Sequence, residues 1–93
     1  MAKIIWSELA LEDLKNIHDY ISNDSLIYAN RLIEKIILRI EQLENFPRSG
    51  RVVPELNNVS IRELIHDSYR IIYKVGTQKI FIVSIHHSAR IIK

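Results

Sequence analysis

The sequence predicts an α+β fold in which a short N-terminal strand and an antiparallel helical hairpin pack on a small, mainly antiparallel β-sheet. Apolar residues recur at helical spacing before Pro47 and at alternate positions after Ser60, which is the main ground for this prediction. The chain has 93 residues, of which 47 % are hydrophobic. That length and composition indicate one domain, residues 1–93, with a single core.

The first elements are a strand and a helix. The strand candidate is the apolar run Lys3–Trp6. Ser7 follows it and can accept from the free amides of a helix start, so we expect the first helix over residues 7–22. One face of this helix is apolar, and its members are Ala10, Leu14, Ile17 and Ile21. The opposite side is expected to face solvent and carries Glu12, Asp13, Lys15 and Asp19.

A second helix is predicted over residues 26–46, ending at Pro47. Its apolar stripe is longer than that of the first helix and consists of Ala29, Ile33, Ile36, Ile40 and Leu43. The polar link between the helices, residues 22–25, is short, so the two helices should form an antiparallel hairpin. We interpret both stripes as surfaces that pack in the core.

The remaining chain is predicted to form a loop and three strands. Residues 47–58 contain both prolines and one of the two glycines, which is typical of a loop. The strand candidates are Ile61–His66, Tyr69–Val75 and Lys79–His87, and the short turns between them favour antiparallel pairing. Residues 80–83 are apolar without interruption, so we expect the last strand to be central and covered on both faces.

Charge is divided between the two halves of the chain. Residues 60–93 carry six basic and two acidic side chains, a net charge of about +4. Residues 1–46 carry five basic and eight acidic side chains, a net charge of about −3. The sequence therefore predicts a basic sheet on an acidic helical base, with an anionic partner on the sheet side. Nucleic-acid phosphate and an acidic protein both remain open as that partner.

Several function classes are disfavoured by composition. The absence of cysteine excludes disulfides, thiolate chemistry and a Cys-ligated zinc site. Neither glycine lies in a nucleotide-binding pattern, and adjacent histidines on a strand point to opposite faces, so we expect no metal and no cofactor. The chain has no run of about 18 uncharged apolar residues and no signal-peptide pattern. We therefore expect a cytoplasmic protein without a membrane partner.

Two groups of side chains are candidates for function. Strand alternation places Arg70 and Lys74 opposite the more apolar face of their strand, so they should point away from the helices into a basic surface. The alternative for Arg70 is an ion pair with Glu63 on the neighbouring strand. The second group is His86, His87 and Arg90, which could exchange protons and bind phosphate; the alternative is that the histidines are polar strand-end residues.

Short motifs along nearly the whole chain occur in an order and spacing that match a known family. They are Ile5-Trp6-Ser7, Asp13-Leu14, Tyr20-Ile21, Pro47 with Gly50 and Arg51, Arg62-Glu63-Leu64, Tyr69-Arg70-Ile71-Ile72-Tyr73, and His87 with Arg90. On these residues the chain resembles the RelE/ParE superfamily of toxins from type II toxin–antitoxin modules. The resemblance implies a growth-inhibiting toxin held in a hetero-oligomer with a cognate antitoxin, which we expect to be acidic and partly disordered.

The resemblance leaves two mechanisms open. RelE-like members cut messenger RNA on the ribosome without a metal, whereas ParE-like members bind DNA gyrase and block it. For a ribonuclease, the implied catalytic residues are Arg62, Arg70, His86, His87 and Arg90. For a gyrase inhibitor, the implied target-binding residues are Arg62, Arg70, Lys74 and Arg90. Leu64 stands where ribonuclease members tend to have a second basic residue, and no tyrosine follows Tyr73. We therefore favour the non-catalytic, ParE-like function, with the endoribonuclease as the alternative.

Overall fold

The computed structural model describes residues 1–88, and its elements confirm the predicted fold class. The helices are α1 (Glu8–Ser22) and α2 (Leu26–Glu41), and a 3₁₀ turn, Gln42–Glu44, follows α2. The strands are β1 (Lys3–Trp6), β2 (Arg51–Val52), β3 (Ile61–His66), β4 (Tyr69–Val75) and β5 (Lys79–His87). None of the helices formed by residues 1–88 is long and apolar enough to cross a bilayer.

Local side-chain contacts account for where the two helices begin. The Ser7 hydroxyl accepts from the Ala10 amide at 2.9 Å, and the Ser25 hydroxyl accepts from the Tyr28 amide at 3.1 Å. Each serine therefore caps one helix, as expected for Ser7. The expectation that α2 continues to residue 46 is wrong, because α2 ends at Glu41. The tighter 3₁₀ turn that follows holds Leu43 at 0 % exposure in the core.

The five strands form one mixed sheet in the order β1-β5-β4-β3-β2. β1 runs parallel to β5, and the other neighbouring pairs are antiparallel. β2 lies inside the segment that was expected to be entirely loop. It pairs with β3 through two residues, and this pairing sets Arg51 directly opposite Glu63.

The helical hairpin packs on one face of the sheet, called the helix face below; the opposite face is called the outer face. The buried residues of this core are Ala10, Leu32, Ile36, Ile40, Leu43, Leu64, Ile71, Tyr73, Ile80, Ile82 and Ile85. β5 lies between β1 and β4, as expected for a central strand. The expectation that both of its faces are covered is wrong, since Phe81 and Val83 are 38 % and 39 % exposed.

Candidate functional site

A buried network of two arginines and two glutamates occupies the outer face of β3 and β4. The Glu63 side chain is fully buried and accepts from Arg51 Nε and from Arg70 Nε, each at 2.6 Å. The two terminal nitrogens of Arg70 donate to the two carboxylate oxygens of Glu55 at 2.7 and 2.9 Å. These bonds to Glu55, followed by those to Glu63, hold the pKa of the Arg70 guanidinium above its usual value. With two arginines and two glutamates, the network carries no net formal charge.

This network changes the interpretation of Arg70. The expectation that Arg70 points away from the helices is met, but it does not reach an exposed basic surface, because only 6 % of the residue is exposed. The alternative partner, Glu63, is confirmed. Neither Glu55 nor Arg51 was predicted to belong to the site. The signal available was that Glu55 is the only acidic residue of the 47–58 segment, which also carries arginines.

Within residues 1–88, Arg62 is held by backbone carbonyls and not by a carboxylate. Its Nε donates to the Val59 carbonyl at 3.2 Å, and its Nη1 donates to the Gly50 carbonyl at 2.9 Å. Val59 lies in the loop between β2 and β3, and Gly50 immediately precedes β2. Arg62 therefore fastens that loop to the sheet, which its sequence position did not indicate.

A bulge in β5 decides which face each C-terminal histidine occupies. Ile72 pairs with Ser84, whereas the next residue, Tyr73, pairs with Ile82, so Val83 is an extra residue. Strict alternation from Ile80 and Ile82 would place His86 on the helix face. The bulge reverses this order, and a hydrogen bond of 2.8 Å from the Ser7 hydroxyl to the Val83 carbonyl holds it.

His86 and His87 consequently lie in different surroundings. His86 is opposite Arg70 on the outer face, where its Nε2 lies 2.8 Å from the Ser84 hydroxyl. Its Nδ1 is buried and has no hydrogen-bond partner among residues 1–88. His87 is opposite Tyr69 on the helix face, with ring centroids 5.8 Å apart and an edge-on angle of 82°. The structure thus brings Arg70 together with His86 and not with His87.

The other two predicted site residues have different outcomes. Lys74 is exposed on the outer face, directly opposite Phe81. Arg90 lies outside the described residues. No group of three or more His, Asp and Glu close enough to hold a metal ion occurs within residues 1–88.

A groove of about 640 Å³ opens on the helix face beside His87. Three tyrosines line it, Tyr20, Tyr28 and Tyr69. Burial, and then the neighbouring Tyr28 and Tyr20 hydroxyls, raise the pKa of Tyr69. Asp13 also borders the groove and accepts from the Ile85 amide at 2.9 Å, so the expectation that Asp13 faces solvent is wrong. The sequence signal for this groove was that two of the tyrosines, Tyr20 and Tyr28, lie on either side of the turn between the predicted helices.

Comparison with known proteins identifies the family. Residues 4–92 match the family described as "ParE toxin of type II toxin-antitoxin system, parDE". The chain belongs to the ParE toxin family. As a ParE-family chain, it is the toxin component of a type II toxin–antitoxin module, and its partner is a cognate antitoxin.

Two similar proteins cover nearly the whole ParE-family chain. It is 35 % identical over 92 residues to "Toxin RelE2" of Caulobacter vibrioides, a match that spans 98 % of this chain and 100 % of that protein. A solved structure, "Chromosomal ParDE TA system from P. aeruginosa", superimposes with a TM-score of 0.77 at 21 % identity. That match covers 94 % of this chain and 96 % of the other, and it supports the fold.

Proposed function

We propose that this toxin stops growth by binding DNA gyrase and blocking it, without cleaving a substrate itself. The observation that carries the proposal is that all three nitrogens of the Arg70 guanidinium already donate to Glu63 or Glu55. A ribonuclease needs a charge-stabilising donor and a proton-transfer group at one phosphodiester. Here the donor is bonded to two carboxylates on the outer face, while His87 contacts Tyr69 on the helix face. Membership of the ParE family supports the same conclusion.

Target contacts are assigned to two cations, one exposed on the outer face and one outside the described residues. Lys74 and Arg90 are the proposed target-binding side chains. Arg62 and Arg70 act as positioning residues in this proposal, because their guanidinium groups hold the loop that carries Val59 and Glu55. The antitoxin is proposed to be acidic and partly disordered, so that its binding weakens with added salt but retains an apolar component. Gyrase is a cytoplasmic target, and we place the toxin there.

The second candidate is a ribosome-dependent endoribonuclease that uses His86 in place of His87. One observation favours it: His86 is directly opposite Arg70 on the outer face, and its Nδ1 has no hydrogen-bond partner within residues 1–88. In this candidate Arg70 would exchange Glu55 for the scissile phosphate, and His86 would move a proton. The 35 % identical relative bears the name Toxin RelE2.

Two assays on one preparation separate the candidates. The full-length toxin is tested for inhibition of gyrase supercoiling and for cleavage of ribosome-bound message. His86→Gln, His87→Gln and the control His18→Gln, on α1 and remote from Arg70, are tested in parallel. We expect wild-type protein and all three variants to inhibit supercoiling and leave the message intact. Message cleavage that is lost in His86→Gln alone would replace the gyrase proposal with the second candidate.

A further inference from the structure

Three exposed lysines of the outer face lie together at one end of the sheet. Register partners are side by side on the same face, and two such pairs, Lys3 with Lys79 and Lys74 with Phe81, lie next to each other where β5 begins. Ile5 is the partner of Phe81 on its other side. We call Lys3, Ile5, Lys74, Lys79 and Phe81 the lysine–phenylalanine patch.

Charge in the patch is uncompensated within the part of the chain that the structure describes. All three lysines are exposed, and none forms an ion pair with another residue of the 1–88 range. The acidic residue of the outer face of β3, Glu63, is fully buried and satisfied by two arginines. The patch is therefore a local cationic field, separate from the neutral arginine–glutamate network at the other end of the same face.

The aromatic ring at the centre of the patch is accessible and lies close to the turn between β4 and β5. Phe81 is 38 % exposed although it lies on a strand with a neighbour on each side. Gly76, in the turn between β4 and β5, leaves room for the ring, since a Cβ there would lie 3.1 Å from Phe81 Cε2. Neighbouring strands are about 4.8 Å apart and alternate residues of one strand about 6.6 Å apart. All three lysines can therefore reach the phosphates that flank a base stacked on this ring.

We propose that the lysine–phenylalanine patch binds single-stranded nucleic acid without sequence preference, with an unpaired base stacked on Phe81 and flanking phosphates on Lys3, Lys74 and Lys79. A flat sheet face that combines an exposed aromatic ring with surrounding cations suits a planar base and its backbone. An acidic peptide would satisfy the lysines equally well, but it leaves the flat ring without a matching surface. This property goes beyond gyrase inhibition and does not depend on it.

The test measures fluorescence anisotropy of a labelled oligothymidine of about 15 nucleotides, the matching duplex, and a polyglutamate peptide of similar length. Full-length toxin should bind the single strand, bind the duplex more weakly, and leave polyglutamate unbound. With three lysine–phosphate contacts, the slope of log K against log salt concentration should be about −2. Lys79→Gln should reduce the slope by about 0.7, while Lys35→Gln, an exposed helix lysine, should not change it.

Stacking is tested separately from charge. Phe81→Leu keeps an apolar side chain at this position and should weaken single-strand binding about tenfold, while Phe46→Leu, whose ring is exposed elsewhere, should have no effect. Thermal unfolding of each variant verifies that the sheet is intact. Equal or tighter binding of the duplex, unchanged affinity in Phe81→Leu, or binding of polyglutamate in place of oligothymidine would each overturn the proposal. None of these readouts involves gyrase, so this proposal and the proposed function fail independently.

Discussion

Removing Arg70 should cost much more stability than removing Arg70 and Glu63 together. In Arg70→Met, the fully buried Glu63 carboxylate keeps only Arg51, whose side chain is 61 % exposed. Breaking a buried pair typically costs about 3–5 kcal/mol, and the remaining arginine places this case near 3 kcal/mol. A chain of this length has about 5–14 kcal/mol of total stability, so the loss is large.

The double variant Glu63→Leu with Arg70→Met removes the buried charge instead of stranding it. Glu55 and Arg51 can then return to water, because their side chains are 30 % and 61 % exposed. Replacing a buried pair with apolar side chains of similar size is often close to neutral, and we expect a net cost below about 1.5 kcal/mol. The double variant should therefore be at least about 1.5 kcal/mol more stable than Arg70→Met alone.

Urea unfolding followed by circular dichroism gives these free energies, and melting temperature gives an independent reading. For a domain of this size, 3 kcal/mol corresponds to a fall of roughly 12–24 °C. The matched control is Arg31→Met, an exposed arginine on α2, which should change stability by less than about 0.5 kcal/mol. Additive costs in the double variant would refute the argument. The result also bears on toxicity assays, since a non-toxic Arg70 variant must first be shown to be folded.

Three further predictions concern the packing around the network and the bulge. A Cβ at Gly50 would lie 2.5 Å from the Glu63 carbonyl oxygen, so Gly50→Ala should cost about 2–3 kcal/mol in urea unfolding, and a loss below 1 kcal/mol would contradict this. Burial raises the pKa of Tyr73 above its ordinary value of 10.0, so the native state binds this proton more tightly than the unfolded chain does. The stability gained in this way is complete below about pH 10 and is lost as pH rises through the native pKa. Tyr73→Phe should reduce this loss of stability at alkaline pH, and a pH profile equal to that of the wild type would contradict the prediction. The same variant should cost about 1–2 kcal/mol at neutral pH, because it leaves the Gly50 amide without its acceptor. Asp13→Ala should cost about 1–2 kcal/mol of stability and speed hydrogen exchange at the Ile85 amide, which donates to Asp13. The control Glu12→Ala should have neither effect. Equal effects in the two variants would show that Asp13 does not stabilise β5 through this hydrogen bond.

Periodicity was sufficient to predict most of the fold. The apolar stripes of α1 and α2 and the alternation in β4 are local patterns, and the residues they assigned to the core, such as Ile36 and Tyr73, are buried. Two features depended on tertiary contacts and had no local signal. β2 forms where Arg51 and Val52 pair with β3, and α2 gives way to a 3₁₀ turn that places Leu43 in the core.

The candidate site was harder to predict than the fold. Arg70 was identified as important, but its burial requires Glu55, which lies 15 residues earlier on a loop whose path the sequence does not specify. Which face of the sheet His86 and His87 occupy depends on the bulge at Val83. An uninterrupted apolar run gives no indication of a bulge. Exposure of Phe81 was likewise hidden, because an apolar run looks the same whether one face is covered or both.

The bulge at Val83 also affects how chains of this kind can be compared. Removing one residue from β5 at that point would exchange the surfaces of His86 and His87 without changing the type of any side chain. In two relatives that differ by this single deletion, the corresponding histidines would be aligned with each other in sequence. In the structures, however, they would lie on opposite faces of the sheet. Grouping relatives by a shared C-terminal histidine is therefore meaningful only after the gap has been placed at the bulge.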